Sequence, residues 1–336
     1  MAGLCSWVMR ASLLPGATLS LLGLGLGGVR AAAGGGSRVA RARHSGAIRI
    51  LNYNVLHEKM MLMNTESSVR PAGYATAMNY SLGAKTGAEA LEAVANSPFD
   101  KVELWWPWDT PHPSEQQMRQ LVDALAKGRP ENPRQLVALN LWAGDLAAGD
   151  RGVLHLVGPE EGADGAGAGT DPDAESGDPA ITEELIEHLN VIEYLHRLTG
   201  VRRFNVLVGR GGRVLQRRQV RAFAAVAKRL ARFGGIALIE PLSGIENYPV
   251  TSIKEAAPLV AAGGRLLIDA YHLAASGEDW TWLASRGAEY ELWPEHIQIA
   301  DFPGRGAPGT GDAPLEEWVN QLREAGYEGE VVLEHV

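Results

Sequence analysis

HIQIADFPGRGAPGTGD, residues 296–312, is the stretch of sequence that decides the fold. Its first residues alternate as a β-strand does, and the alternation places Gln298 on the same face as His296. The second half is rich in Gly and Pro and carries Arg305, which indicates a loop beyond the strand. An amide on a buried strand face must find partners, or its burial costs several kcal/mol. Gln298 is therefore either a satisfied core residue or part of a polar site at the strand end.

Outward from this stretch, strand patterns alternate with helical ones. The predicted strands are residues 78–82, 101–106, 135–142, 202–209, 234–242, 264–272, 295–301 and 329–336. The helical patterns cover residues 88–96, 114–127, 181–200, 219–234, 252–263 and 313–327. This order predicts the α/β class and a (β/α)8 TIM barrel. A doubly wound open sheet is the alternative, but no phosphate-binding glycine motif follows the first strand. The chain stops two residues after Glu334, so we expect the eighth helix to be absent.

Two segments differ in composition from the predicted barrel, residues 78–336. No acid occurs before Glu58, while arginines are spread through Ala, Gly, Leu and Ser. Residues 1–77 are thus expected to be a leader or an N-terminal extension that is disordered or outside the barrel: a signal peptide, a transit peptide, or a start placed too far upstream. Residues 158–180 contain seven acids and neither a basic nor an aromatic residue. Such a stretch cannot bury enough apolar surface to offset its ordering entropy, which predicts a disordered insertion.

The composition excludes several classes of protein. A net charge of −9 argues against a nucleic-acid binder, and the ten basic residues between Arg202 and Arg232 are read as a solvated helix face. The single cysteine, Cys5, excludes an internal disulfide framework. Nothing in the body of the chain resembles a membrane span. The expected partner is a small-molecule substrate, with a homo-oligomer left open. The expected location is the cytoplasm, or the mitochondrion or outside the cell if the leader is genuine.

Four late strands each end in an oxygen-bearing side chain that faces the mouth of the predicted barrel, where active sites lie. These residues are Glu240, Asp269, Gln298 and Glu334. Three carboxylates and an amide at one mouth would repel one another without a cation. Four oxygen ligands suit a hard divalent ion such as Mg²⁺ or Mn²⁺. The sequence therefore predicts a metal site at this end.

The segments around these residues resemble the hydroxypyruvate isomerase family of xylose isomerase-like TIM barrels. The likeness rests on IEPLSG, IDAYH, the opening stretch and GYEGEVVLEH, with support from VELWWPW and LNLWAGDLAAGDRG. It covers roughly residues 78–336 apart from the acidic segment. The resemblance implies a metal on the four residues named above, the two glutamates as the acid/base pair, and His272 and Arg305 in contact with substrate. The family has Glu where Ala307 and Asp312 stand, which predicts a looser loop here.

The resemblance further implies interconversion of hydroxypyruvate and tartronate semialdehyde (2-hydroxy-3-oxopropanoate). A bound metal would acidify the C–H between two chelated oxygens and stabilise the enediolate. Two glutamates across the mouth suit proton removal and return.

Arg305 could bind the substrate carboxylate through two parallel bonds, or be a surface residue. His272 could donate to a substrate oxygen, or be structural. The tryptophans at 105, 106 and 108 are read as rim packing, with a roof over the pocket as the alternative.

Three other functions stay open. The nearest is an isomerase or epimerase of another small sugar or sugar acid, such as a 2-oxo-tetronate. An abasic-site endonuclease on the same barrel type would need a His-rich cluster of several metals and a basic face. A non-catalytic, degraded barrel would bind metal without turnover.

Overall fold

The computed structural model describes residues 73–154, 181–278 and 281–336. The predicted leader, up to residue 72, and the acidic segment 158–180 lie outside the described residues. None of the helices described is both long and apolar enough to cross a bilayer.

Eight parallel strands close into a barrel in sequence order, which confirms the predicted TIM barrel. They are β1 (Ala77–Asn79), β2 (Lys101–Leu104), β3 (Gln135–Asn140), β4 (Arg203–Asn205), β5 (Ile236–Ile239), β6 (Arg265–Asp269), β7 (Pro294–Ile299) and β8 (Val331–Leu333). The first strand starts one residue earlier than expected, because Ala77 pairs with Val332 where β1 meets β8. Residues 334–336 follow β8.

The helices pack around the outside of the barrel. They are α1 (Gly87–Ala95), α2 (Glu115–Ala126), α3 (Glu183–Thr199), α4 (Arg217–Ala231), α5 (Ile253–Ala261), α6 (Ala270–Ser276), α7 (Thr281–Arg286) and α8 (Leu315–Glu324). Four of them begin at a Ser or Thr whose hydroxyl accepts a bond from the backbone three residues on: Thr86, Ser114, Thr182 and Ser252. On α4, Phe223, Val226 and Leu230 recur at helical spacing and are fully buried, which holds the helix against the sheet.

The sixth strand is shorter than predicted, and this correction affects the site. The sequence pattern extends it to His272, but β6 ends at Asp269 and α6 begins at Ala270. Asp269 Oδ1 accepts a bond of 2.9 Å from Tyr271 N, so its side chain caps the helix. His272 therefore lies in the first turn of a helix that starts at the barrel mouth.

The barrel interior divides into an apolar and a polar level. Ala77 and Val332 form, with Val137, a small apolar cluster separate from the main core between sheet and helices. Two residues further along the first and last strands, the same alternation places Asn79 and Glu334, both buried. Polar groups thus line the barrel at its C-terminal end.

Candidate active site

The four predicted oxygen ligands converge at the C-terminal mouth of the barrel. All four are buried, with at most 5% of each residue exposed. Arg305 connects two of them, since its Nη2 donates to Asp269 Oδ2 (2.7 Å) and to Glu334 Oε2. Gln298 Nε2 donates to Glu334 Oε1 at 3.3 Å. On the other side, ligand atoms of Glu240 and Asp269 lie within 4.8 Å of each other.

Glu240 has one oxygen fixed and one oxygen facing the cluster. Asn205 Nδ2 donates to its Oε2 at 2.7 Å, and its Oε1 lies 3.9 Å from His272 Nε2. Burial and the nearby Asp269 carboxylate raise the pKa of Glu240 to about 8, against the opposing influence of Arg305 and Asn205. Glu240 can therefore exchange a proton near neutral pH, as a general acid or base must.

Glu334 shows the same division between its two oxygens. Its Oε1 accepts bonds of 2.8 Å from both Asn79 Nδ2 and Trp105 Nε1, in addition to the longer bond from Gln298. Its Oε2 faces Arg305. Burial raises the pKa of Glu334 well above its usual range, although Arg305 lowers it. Three N–H donors thus fix one oxygen and direct the other into the site.

Ser243 and Arg305 hold the ring of His272 in place. The Ser243 backbone N–H donates to His272 Nδ1 at 3.0 Å, and Ser243 Oγ lies 2.8 Å from the same atom. Burial lowers the pKa of His272, so the ring is neutral at neutral pH. The other ring nitrogen, Nε2, lies 3.1 Å from Arg305 Nη1, 3.7 Å from Asp269 Oδ2 and 3.9 Å from Glu240 Oε1. A guanidinium only donates, so each ring nitrogen faces an N–H donor, and these contacts do not select one tautomer. His272 therefore presents Nε2 to the site.

Arg305 points into the acidic cluster rather than to the surface. Its backbone has a φ of 56°, in the left-handed region, and its guanidinium lies 4.8 Å from the centre of the Tyr271 ring. Burial opposes its charge, but the carboxylates of Asp269, Glu334 and Glu240 outweigh this and raise the pKa of Arg305. The side chain is permanently cationic, and its role in substrate binding stays a prediction.

The donor set fits a divalent cation. Gln298 Oε1 is buried and has no hydrogen-bond partner among the described residues, which is costly unless a cation uses it. Glu240, Asp269 and His272 form a group whose ligand atoms lie within 4.8 Å of one another. The oxygen ligands predicted from the sequence suit Mg²⁺ or Mn²⁺. The His272 ring nitrogen is an additional possible metal ligand, although the sequence predicted only a substrate contact for it.

A second buried network, on the early strands, was missed in the sequence analysis. Glu103 on β2 contacts Asn79, His296 and Gln298, and all four side chains are buried. The sequence held the signal, because Asn79 and Glu103 are polar residues inside predicted strands, as Gln298 is. The polar residues that predicted the site all lie on the later strands, although β1 closes against β8.

A pocket of about 440 Å³ opens over the ends of the first three strands. Its lining includes Trp105, Trp106, Trp108, Asn140, Trp142 and Asp145. The indole of Trp105 also binds Glu334, so the pocket adjoins the acidic cluster. Trp106 and Trp108 pack edge to face with centroids 4.8 Å apart. Trp105 thus contacts the site, while the other two form its wall.

The loop between β7 and α8, which carries Arg305, is organised by Asp301. Asp301 Oδ1 accepts from Phe302 N (2.9 Å) and Ala313 N (3.0 Å), and Oδ2 accepts from Gly309 N (2.7 Å). Burial alone would raise the pKa of Asp301, but the backbone N–H groups lower it overall. The looser loop expected from Ala307 and Asp312 stays a prediction, and in the structure the Asp301 carboxylate closes the loop onto the strand end.

Asp301→Asn is expected to lower the free energy of unfolding by about 1–3 kcal/mol, because an amide cannot accept from all of these donors. A carboxylate with a lowered pKa stabilises the fold above its unfolded pKa, and this contribution disappears as the pH falls through the folded pKa. The loss of unfolding free energy in Asp301→Asn should therefore be complete at neutral pH and become smaller below pH 3.8, the ordinary pKa of an aspartate. Urea unfolding at neutral and at acidic pH measures the loss and its pH dependence. Asp312→Asn, in the same loop, is the matched control, and equal losses in the two variants would contradict the role of Asp301.

Comparisons with known proteins show the family of this chain. The model of the xylose isomerase-like TIM barrel family matches residues 91–336. A candidate hydroxypyruvate isomerase of Streptomyces coelicolor is 33% identical over 263 residues, covering 74% of this chain and 84% of the relative. The hydroxypyruvate isomerase of Escherichia coli is 27% identical over 257 residues, covering 73% and 86%.

Solved structures with low identity share the fold. A Brucella melitensis structure described as a family 2 AP endonuclease has a TM-score of 0.59 at 20% identity, covering 78% of this chain and 93% of that one. A D-allulose 3-epimerase from Methylomonas has a TM-score of 0.54 at 17% identity, covering 78% and 83%. At such identities the likeness concerns the barrel alone.

The family model and the 33% identity to the Streptomyces relative show the family, and the acid-lined mouth is consistent with it. This chain is an isomerase of the xylose isomerase-like TIM barrel family, in the group of the hydroxypyruvate isomerases.

Proposed function

We propose that this enzyme interconverts hydroxypyruvate and tartronate semialdehyde. The observation that carries the proposal is the pair of buried glutamates at one mouth, Glu240 and Glu334, each with one oxygen fixed by neighbours and the other directed into the site. The names of the Streptomyces and Escherichia relatives support the choice of substrate.

The reaction moves two protons and no other atoms. One glutamate removes a proton from C3 of hydroxypyruvate, and the other delivers a proton to C2 of the enediolate, while the hydroxyl proton passes from O3 to O2. A divalent cation held by Glu240, Asp269, Gln298 and Glu334 would supply electrostatic stabilisation of the enediolate oxygens. Burial raises the pKa of both glutamates, and a bound cation would lower it.

His272 and Arg305 are proposed to bind the substrate. Ser243 occupies His272 Nδ1, so His272 Nε2, which lies next to Arg305 Nη1, is the ring atom that would contact a substrate oxygen. Arg305 has a planar guanidinium that matches a carboxylate through two parallel bonds. The substrate carboxylate would take the place of one of its present partners, Asp269 or Glu334.

Arg305→Lys is expected to raise the KM for hydroxypyruvate about tenfold or more, since a charge remains but the paired hydrogen bonds are lost. Mn²⁺ affinity should stay close to that of the parent protein. Steady-state kinetics and a Mn²⁺ titration measure the two effects. Arg323→Lys is the matched control, because Arg323 also lies over an aromatic ring, Tyr327 at 5.1 Å, but on α8. An unchanged KM at position 305 would remove Arg305 from substrate binding.

A second candidate function is isomerisation or epimerisation of a larger sugar or sugar acid. The observation that favours it is the pocket of about 440 Å³ beside Glu334, which is large for a three-carbon acid. The deciding experiment is an activity screen of Mn²⁺-loaded protein on hydroxypyruvate, four-carbon 2-oxo acids and ketohexoses, followed by NMR. The proposal expects the highest kcat/KM on hydroxypyruvate. A higher value on a ketohexose would favour the second function, and no turnover on any of them would favour a degraded barrel.

A further inference from the structure

Glu103 is a buried carboxylate that the proposed proton transfers do not use. It lies on β2, in register with Asn79 on β1, and is 1% exposed. Its Oε1 accepts from Asn79 Nδ2 (3.0 Å) and from Gln298 Nε2, and its Oε2 lies 2.5 Å from His296 Nε2. Both oxygens are engaged by side chains. Glu103 therefore acts on the site only through its neighbours.

The first of these neighbours is the amide of Gln298. An amide nitrogen has two N–H donors, and in Gln298 one is donated to Glu103 and the other to Glu334. Its oxygen is consequently turned the opposite way, where it is buried and has no partner among the described residues. The reversed amide would place that oxygen against two carboxylates. Glu103 thus decides which end of the amide is presented to the site.

The second neighbour is Asn79, which connects Glu103 to a glutamate of the proposed acid/base pair. Asn79 Nδ2 donates to Glu103 Oε1 (3.0 Å) and to Glu334 Oε1 (2.8 Å), while its oxygen accepts from Ser81 N (2.9 Å). Two amide nitrogens, of Asn79 and Gln298, therefore bridge the same two carboxylate oxygens. This double bridge holds Glu334 Oε1 and leaves Oε2 for the site.

We propose that Glu103 is a positioning residue for a divalent cation. It orients the Gln298 amide so that Oε1 faces the cation, and it fixes Glu334 through Asn79. The inference rests on the proposed metal site, and it adds a carboxylate that touches neither cation nor substrate. Loss of such an outer partner typically costs about 10–100-fold in metal affinity.

Glu103→Met and Glu103→Gln test this in the full chain, with Mn²⁺ affinity measured by electron paramagnetic resonance of the free ion. The Met variant keeps the volume but removes both acceptors, so its Mn²⁺ affinity should fall about 10–100-fold. The Gln variant keeps one oxygen, which can accept from both amides while its NH₂ group faces His296. Its affinity should stay near the parent value. Glu330→Met is the control, since Glu330 bonds Lys101 (2.5 Å) just before β8, at the opposite end of the barrel.

Parent-like Mn²⁺ affinity in Glu103→Met would overturn the proposal, and so would equal losses in the Met and Gln variants. If Glu103→Met does not fold, Glu103→Asp replaces it, because the shorter side chain draws the carboxylate away from both amides while keeping the charge. Unchanged affinity in the Asp variant would again overturn the proposal. A parent protein that binds no Mn²⁺ would instead refute the metal site of the proposed function, which distinguishes the two failures.

Discussion

Glu334→Gln is expected to lower turnover by about 10²–10⁴-fold, the usual contribution of a general acid or base. The structure adds that this change also weakens the metal site. Three N–H donors hold the Oε1 position, so the oxygen of the new amide must stay there. Its NH₂ group then takes the Oε2 position and faces Arg305, which is itself a donor. Mn²⁺ affinity should therefore fall together with turnover.

Glu240→Gln is the companion variant, and the same reasoning applies to it. Asn205 Nδ2 holds the Oε2 position, which places the NH₂ group toward His272 and the site. Rates are compared at saturating Mn²⁺, and exchange of solvent deuterium at C3 and C2 of the substrate, followed by NMR, assigns each proton to one glutamate. Glu324→Gln, on exposed α8 surface, is the control. A variant that isomerises at the parent rate shows that its glutamate is not the acid or base.

Removal of divalent cations is expected to abolish activity, and Mg²⁺ or Mn²⁺ is expected to restore it. When all three are ionised, the carboxylates of Glu240, Asp269 and Glu334 exceed the positive charge of Arg305, which contacts two of them, by two units, and one divalent ion would balance that excess. Activity is measured after dialysis against a chelator and after addition of each metal.

The same cation should stabilise the fold. At a concentration of one hundred times Kd, a ligand that binds only the folded state adds about 2.7 kcal/mol. For a domain of this size that corresponds to a rise in Tm of roughly 5–10 °C. Differential scanning calorimetry measures the Tm, first in buffer free of calcium and magnesium and then after addition of the cation. Full activity of a demonstrably metal-free sample, with no change in Tm on adding Mn²⁺, would contradict a metal site.

The sequence was sufficient for the barrel and for most of the mouth. Alternation along a strand fixes the face on which a residue lies, and parallel strands bring their C-terminal ends to one edge, so Glu240, Asp269, Gln298 and Glu334 could be placed together without coordinates. Arg305 and His272 were expected at the same mouth, and the structure brings both there. These inferences use only local periodicity and the order of the elements.

Local periodicity and the order of the elements could not predict contacts between strands that are distant in sequence. Asn79 and Glu103 reach Glu334 and Gln298 only because the first strand closes against the eighth, a result of barrel register rather than of local pattern. The end of β6 was also decided by a side-chain contact, the Asp269 cap.

The sequence by itself determined which side chains reach the mouth, because strand period and strand order are local properties of the chain. Only the tertiary structure decided which oxygen of each side chain faces the site. That choice depends on donors contributed by other strands: Asn205 for Glu240, Asn79 and Trp105 for Glu334. A hydrogen bond fixes an atom, whereas a strand pattern fixes only a face, and the chemistry proposed for this enzyme depends on individual atoms.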